Sequence, residues 1–105
     1  MIGLGLLIAQ TASAGWVQVN GPNGGIINAF ASTGKNILAG TYGSGVFMST
    51  DTGNNWIAVN NGITNRYIKS LAANDSIILA ATVTFKNGYE VKTGGIFFSI
   101  NNVSA

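Results

Sequence analysis

The chain has 105 residues, enough for at most one ordinary domain. Charged residues make up 8% and hydrophobic residues 47%, with 15 glycines and one proline, which excludes a disordered or collagen-like chain and points to sheet with many tight turns. The net charge of +2 comes from Lys35, Arg66, Lys69, Lys86 and Lys92 against Asp51, Asp75 and Glu90. The basic residues are scattered, so nothing argues for a nucleic-acid partner. The sequence holds neither cysteine nor histidine, which removes thiol chemistry, disulfides and most zinc sites. No metal or cofactor is implied.

At the N-terminus an apolar run from Ile2 to Ala9 is followed by Gln10-Thr11-Ala12-Ser13-Ala14. Ala12-x-Ala14 is the small-residue pattern that a signal peptidase reads, so residues 1–14 are expected to be a signal peptide cleaved after Ala14. The rest of the chain is then secreted, periplasmic or at the cell surface. The run is too short for a stable membrane span, which needs about 20 residues. The other reading of residues 2–12 is a buried strand.

Beyond residue 15 the chain repeats itself. Ile27-Asn28-Ala29-Phe30-Ala31 aligns with Ile68-Lys69-Ser70-Leu71-Ala72, and Ile37-Leu38-Ala39-Gly40-Thr41 with Ile78-Leu79-Ala80-Ala81-Thr82, both at an offset of 41. Gly45-Val46-Phe47-Met48-Ser49 recurs as Gly95-Ile96-Phe97-Phe98-Ser99 at an offset of 50, so the second copy carries nine extra residues. Trp16-Val17-Gln18-Val19-Asn20 matches Trp56-Ile57-Ala58-Val59-Asn60 at an offset of 40. A self-similar period of this size is the signature of stacked supersecondary units. The first unit is expected to hold strands at 26–31, 36–41, 46–50 and 55–60, and the second at 67–73, 77–84 and 91–100. Residues 16–20 are expected to be the last strand of a unit with no beginning. Within the insertion, Asn87-Gly88 suits a type I′ turn between 82–86 and 89–93, which would lengthen the second and third strands into one hairpin.

The corner before residue 56 is the most specific motif. In Ser49-Thr50-Asp51-Thr52-Gly53-Asn54-Asn55-Trp56, Asp51 can accept backbone N–H bonds as Asx turns do, and Gly53 supplies a positive φ. Trp56 covers the corner. The spacing S-x-D-x-G-x-x-W, carried by Ser49, Asp51, Gly53 and Trp56, resembles the Asp-box of bacterial-neuraminidase-type (BNR) repeats. That resemblance covers most of the chain beyond residue 15. It implies an all-β fold of antiparallel four-stranded β-propeller blades: a complete blade over 26–60, an incomplete one over 67–100, and a lone last strand at 16–20. Propellers typically use about four to eight blades. Residues 15–105 are therefore expected to be a partial propeller, either a fragment of a longer protein or a protomer of a homo-oligomer whose copies lend strand 16–20 to one another.

The family includes sialidases, other secreted glycosidases, sortilin-type receptors and photosystem II assembly factors, so the blade does not select an activity. A sialidase of this kind implies an arginine cluster and a tyrosine nucleophile paired to a glutamate. Here Arg66 and Glu90 are the sole residues of their kinds. Two-carboxylate glycoside hydrolysis is left with Asp75 and Glu90, expected on opposite faces, because Asp51 is committed to the turn. The chain as it stands is expected not to be an enzyme. Glycines 40, 43 and 45 surround a tight turn rather than a phosphate loop, since no Gly-Lys-Ser/Thr follows. Trp16 and Trp56 are expected to pack between blades. Asn74-Asp75-Ser76 and Asn102-Val103-Ser104 fit the N-glycosylation pattern.

What remains is a binding surface. Alternating connections bring Tyr42, Arg66, Tyr67 and the 85–92 hairpin to one side, with Phe85, Lys86, Tyr89 and Lys92 as further contact residues, since aromatic and cationic side chains dominate such surfaces. The expected function is secreted, noncatalytic interaction with a protein or a carbohydrate. The alternatives are a fragment of a secreted glycoside hydrolase with its catalytic groups elsewhere, and a homo-oligomeric carbohydrate-binding propeller. Phe85 and Tyr89 could instead serve as a cross-strand pair that stabilises the hairpin.

Overall fold

The computed structural model describes residues 15–91 and 94–100. They form an all-β, antiparallel architecture of nine strands in three sheets. The first sheet runs β1 (Ile26–Thr33), β2 (Asn36–Tyr42), β3 (Val46–Ser49) and β4 (Ile57–Ala58) in sequential order. In the second, β5 (Ile68–Ala73) pairs with β6 (Ile77–Thr82), which pairs with β9 (Ile96–Ile100). Between β6 and β9 lies a separate two-stranded sheet of β7 (Thr84–Lys86) and β8 (Tyr89–Val91). The segment expected to be a signal peptide, residues 1–14, lies outside the described residues, as does Lys92.

The repeat is visible down to its irregularities. A register shift interrupts β1 against β2 between Ile27 and Ala29, and the same shift interrupts β5 against β6 between Ile68 and Ser70. The bulged residues, Asn28 and Lys69, are 41 apart, the offset seen in the sequence. The turn that leads into the third strand is also built twice. Thr41 N–H and Oγ1 both donate to Gly45 O, at 3.0 and 2.8 Å, while Thr82 N–H and Oγ1 donate to Gly95 O at 2.9 and 3.1 Å. This Thr–Gly clamp encloses residues 42–44 in the first copy and 83–94 in the second, so the nine extra residues fall between its jaws.

Three expected features differ. The insertion does not lengthen β6 and the strand after it: β6 ends at Thr82, whose N–H still donates to Gly95 O, and Val83 N–H donates to Tyr67 O at 3.0 Å as one last step of the β5–β6 register. β7 and β8 then pair only with each other, through the registers Thr84↔Val91, Phe85↔Glu90 and Lys86↔Tyr89. Their turn is as expected: Asn87 and Gly88 have φ of 53° and 82°, both in the left-handed region a type I′ turn requires. Residues 16–20 form no strand, and Trp16 is fully exposed rather than packed. A strand exists through its ladder, and among the described residues nothing pairs with this segment. The strand expected at 55–60 contracts to β4, although Val59 N–H still donates to Val46 O at 2.9 Å in the register of that ladder.

The core lies between the two larger sheets. Leu38, Val46 and Val59 from the first meet Ile68, Ile78 and Ala80 from the second, all buried, with Met48, Ile63 and Leu71 around them. Contact is close enough that a Cβ on Gly40 would sit 2.5 Å from Ile68 Cγ2, so that position excludes a side chain unless something moves. Polar bonds fix the register between the sheets. Asn28 Nδ2 donates to Ile68 O (3.1 Å) and Lys69 O (2.8 Å), and Thr33 Oγ1 donates to Asn74 O (3.1 Å).

The packing is head-to-tail. Residues paired directly across a ladder share a face. The face of the first sheet turned inward therefore carries Leu38, Gly40, Val46 and Met48. Their counterparts in the second copy are Leu79, Ala81, Ile96 and Phe98, which share that sheet's outward face. The second sheet meets the core with its opposite side, through Leu71, Ile78 and Ala80.

Candidate functional site

The corner at residues 49–56 is a closed hydrogen-bond system. Ser49, fully buried at the end of β3, accepts Gly53 N–H at 2.8 Å and Asp51 N–H at 3.3 Å through Oγ, and donates to Asp51 Oδ1 at 2.9 Å. Asp51 Oδ1 also accepts Asn55 N–H at 2.9 Å, and Oδ2 accepts Asn55 Nδ2 at 2.7 Å. The Asn55 side chain, followed by its backbone N–H and the Ser49 hydroxyl, lowers the Asp51 pKa below its ordinary value. Gly53 turns the chain with φ of 92°. Half-buried Trp56 donates Nε1–H to Asn20 O (2.8 Å) and Gly53 O (3.1 Å), which ties the N-terminal segment to the corner. The carboxylate oxygens are thus spent on the turn.

The other candidates gather where the insertion meets the sheets. Tyr42 at the end of β2, Tyr67 just before β5 and Phe85 on β7 form a ring cluster, each pair edge-to-face, with centroids 5.2–6.1 Å apart. Such pairs add about 0.5–1.5 kcal/mol beyond area burial. Tyr42 and Tyr67 also share a backbone bridge. Asn65 Nδ2 donates to Val83 O at 3.0 Å, and Lys69 Nζ meets Glu90 Oε1 at 3.1 Å. The Glu90 hydrogen bond and charge, with a smaller contribution from Tyr42, raise the Lys69 pKa above its usual value.

The cluster has two sides. Phe85 pairs with Glu90 and faces the tyrosines, whereas Lys86 pairs with Tyr89 on the opposite face of the hairpin. The register thus rules out a directly opposed Phe85–Tyr89 pair: Phe85 packs, and Tyr89 stands 76% exposed beside Lys86. Arg66 lies apart from the rings. Its backbone oxygen accepts N–H from Gly43 and Gly45, and its Nε donates to Ile63 O at 3.4 Å. Its side chain borders a shallow depression with Asn60, Gly62 and Thr64.

Sequence reasoning missed Asn28, Asn65, Lys69 and Glu90 as the ties that hold this region. The recurrence of Asn28 as Lys69 at the repeat offset was the available signal. Among the described residues there is no group of three or more metal-ligating side chains, and no helix long and apolar enough to cross a membrane. These observations define an all-β chain of stacked antiparallel sheets with an aromatic cluster on an inserted hairpin. No family model, curated protein or solved structure matches the chain.

Proposed function

We propose that the chain is a secreted, noncatalytic pair of Asp-box β-propeller blades that acts by binding a protein or glycan through the hairpin at 82–93. The observation that carries the reading is the insertion itself. The same Thr–Gly clamp closes a short turn in the first copy, and in the second it carries a hairpin seated on Tyr42 and Tyr67 that presents Tyr89 and Lys86 outward. The sequential four-strand sheet, the duplicated bulge and the Asp-box hydrogen bonds support the blade. The noncatalytic reading is supported by the use made of two of the three acidic residues: Asp51 holds the corner, and Glu90 is paired with Lys69. An exposed aromatic beside a cation suits a sugar face or a protein surface.

The test is a glycan array, with capture of partners from the native medium in parallel, comparing the wild-type chain with Tyr89→Ala and Phe85→Ala. Retained fold with lost binding in Tyr89→Ala supports the reading, as does a Phe85→Ala chain that is less stable but keeps its specificity. Undiminished binding by Tyr89→Ala sinks it.

A further inference from the structure

The interface between the two sheets is repeated at the ends of the molecule, as two unjoined halves. Inside the chain, the Leu38–Val46–Met48 face of the first sheet packs on the Leu71–Ile78 face of the second. The repeat places a copy of the first half on the outside of the second sheet. There Leu79 is 43%, Ile96 78% and Phe98 69% exposed, while their counterparts Leu38 and Val46 are 0% and 3% exposed. The second half recurs on the outside of the first sheet. Phe30, counterpart of Leu71, is 59% exposed there beside an apolar depression of about 250 Å³ lined by Val19, Pro22, Ile27, Ile37 and Trp56. A contiguous apolar face on each end is unusual for a monomer and marks an association surface.

The segment 16–20 supplies a second half-made contact. It repeats the sequence of β4, which pairs with β3 through Met48↔Ile57 and Phe47↔Ala58. The counterpart of β3 is β9, whose ladder partner is β6 on one side, and no strand lies on its other side among the described residues. We propose that the partner for both is a second copy of this chain, docked head-to-tail. The Phe98 face of one copy covers the Phe30 face of the next, and residues 16–20 of that next copy add as the fourth strand along β9. The repeat sets the register: Val17 falls opposite Phe98 and Gln18 opposite Phe97. Because the two surfaces differ, the contact is heterologous, and it propagates until rotation closes a ring. The inference deepens the blade reading, but it can fail while the hairpin still binds a ligand, and it can hold if the hairpin binds nothing.

The experiment uses the full chain in light scattering on a sizing column. The wild type is expected to exceed the monomer mass of 10.8 kDa. Phe98→Glu and Phe30→Glu each spoil one half, so each alone is expected to run as a monomer. Mixed, they retain one intact pair of faces, and they are expected to form a dimer that grows no further. Recovery on mixing also shows that both variants are folded. The absence of native cysteine permits a second readout of register. Chains carrying Val17→Cys and Phe98→Cys, mixed under mild oxidation, are expected to cross-link to each other and not to themselves. A monomeric wild type, a dimer in either Glu variant alone, failure of the mixture to dimerise, or self-cross-linking as efficient as mixed cross-linking would overturn the proposal.

Discussion

Leu38 and Leu79 stand at the same place in two copies of one repeat, yet the first is sealed between sheets and the second is 43% exposed. The strands are alike in register, in their bulges and in their clamping turns. What differs is whether another sheet lies against the face. Burial in this chain is a property of stacking rather than of the strand, as in other quasi-one-dimensional repeats, where stability is carried by interfaces between units.

Three paired substitutions test that contrast, and the largest effect belongs to the pair itself. Leu38→Ala should destabilise by about 2–5 kcal/mol, as for a buried leucine in a packed core. Leu79→Ala should lower stability by less than about 1 kcal/mol in the monomeric Phe98→Glu background, since it removes surface that is already wet. Urea unfolding of both variants reads the difference; equal losses would place a cover over Leu79 even in the monomer.

The Gly40 and Ala81 pair is the next most informative. Gly40→Ala pushes a methyl into Ile68 Cγ2 and should cost about 1–3 kcal/mol by overpacking. At the counterpart, Ala81→Gly should cost about 0.5–1 kcal/mol through backbone freedom alone. A stabilised Gly40→Ala chain would mean that the sheets can part without penalty.

Ser49 and Ser99 form the third pair, one inside the hydrogen-bonded corner at 49–56 and one without such a corner. Ser49→Ala strips the acceptor from two backbone N–H groups and should cost about 1–3 kcal/mol. Ser99 Oγ donates only to Ile100 O, so Ser99→Ala should stay within about 0.5 kcal/mol.

The smallest effects are those of pH. Asp51 titrates below its ordinary value of 3.8 in the folded chain, so its contribution is present above pH 3.8 and is lost as the pH falls through the lowered value. Lys69 is raised above 10.5, so its contribution is present below pH 10.5 and fades as the pH climbs through the raised value. Asp51→Asn should therefore weaken the acid limb of a pH–stability curve, and Lys69→Met the alkaline limb. Asp51 is half-buried and Lys69 exposed, and both are screened by solvent, so each change should be slight beside the core substitutions.

The sequence made legible those features that depend on neighbours along the chain. The corner at residues 49–56 could be read because Ser49, Asp51, Gly53 and Asn55 bond one another across a few residues. The two copies and the nine-residue insertion could be read because apolar positions recur at fixed offsets. Residues 16–20 form no strand in the single chain because their similarity to 56–60 reports what they can pair with, and pairing needs a partner that the described residues lack. The sequence reads the hairpin as an extension of two strands because Thr82 and Thr84 look continuous, and the break shows only in the pairing, where β7 and β8 form a sheet of their own. The Tyr42–Tyr67–Phe85 grouping followed from strand alternation. The opposite facing of Tyr89 followed from a register that no single residue announces.

The Thr–Gly clamp has a consequence for how such a chain can change. Because it bonds Thr41 to Gly45 and Thr82 to Gly95 in the same way, the chain re-enters the sheet with the same geometry whatever length lies between the jaws. Closing residues 83–94 in place of 42–44 is two doublings of loop length, each costing only about 0.6 kcal/mol. The turn is a socket: a short plug in one copy, an aromatic hairpin in the other. A peptide inserted between Gly43 and Ser44 leaves Tyr42 in β2 and the Thr41–Gly45 bonds in place, which gives this small scaffold a second position for acquiring new specificity.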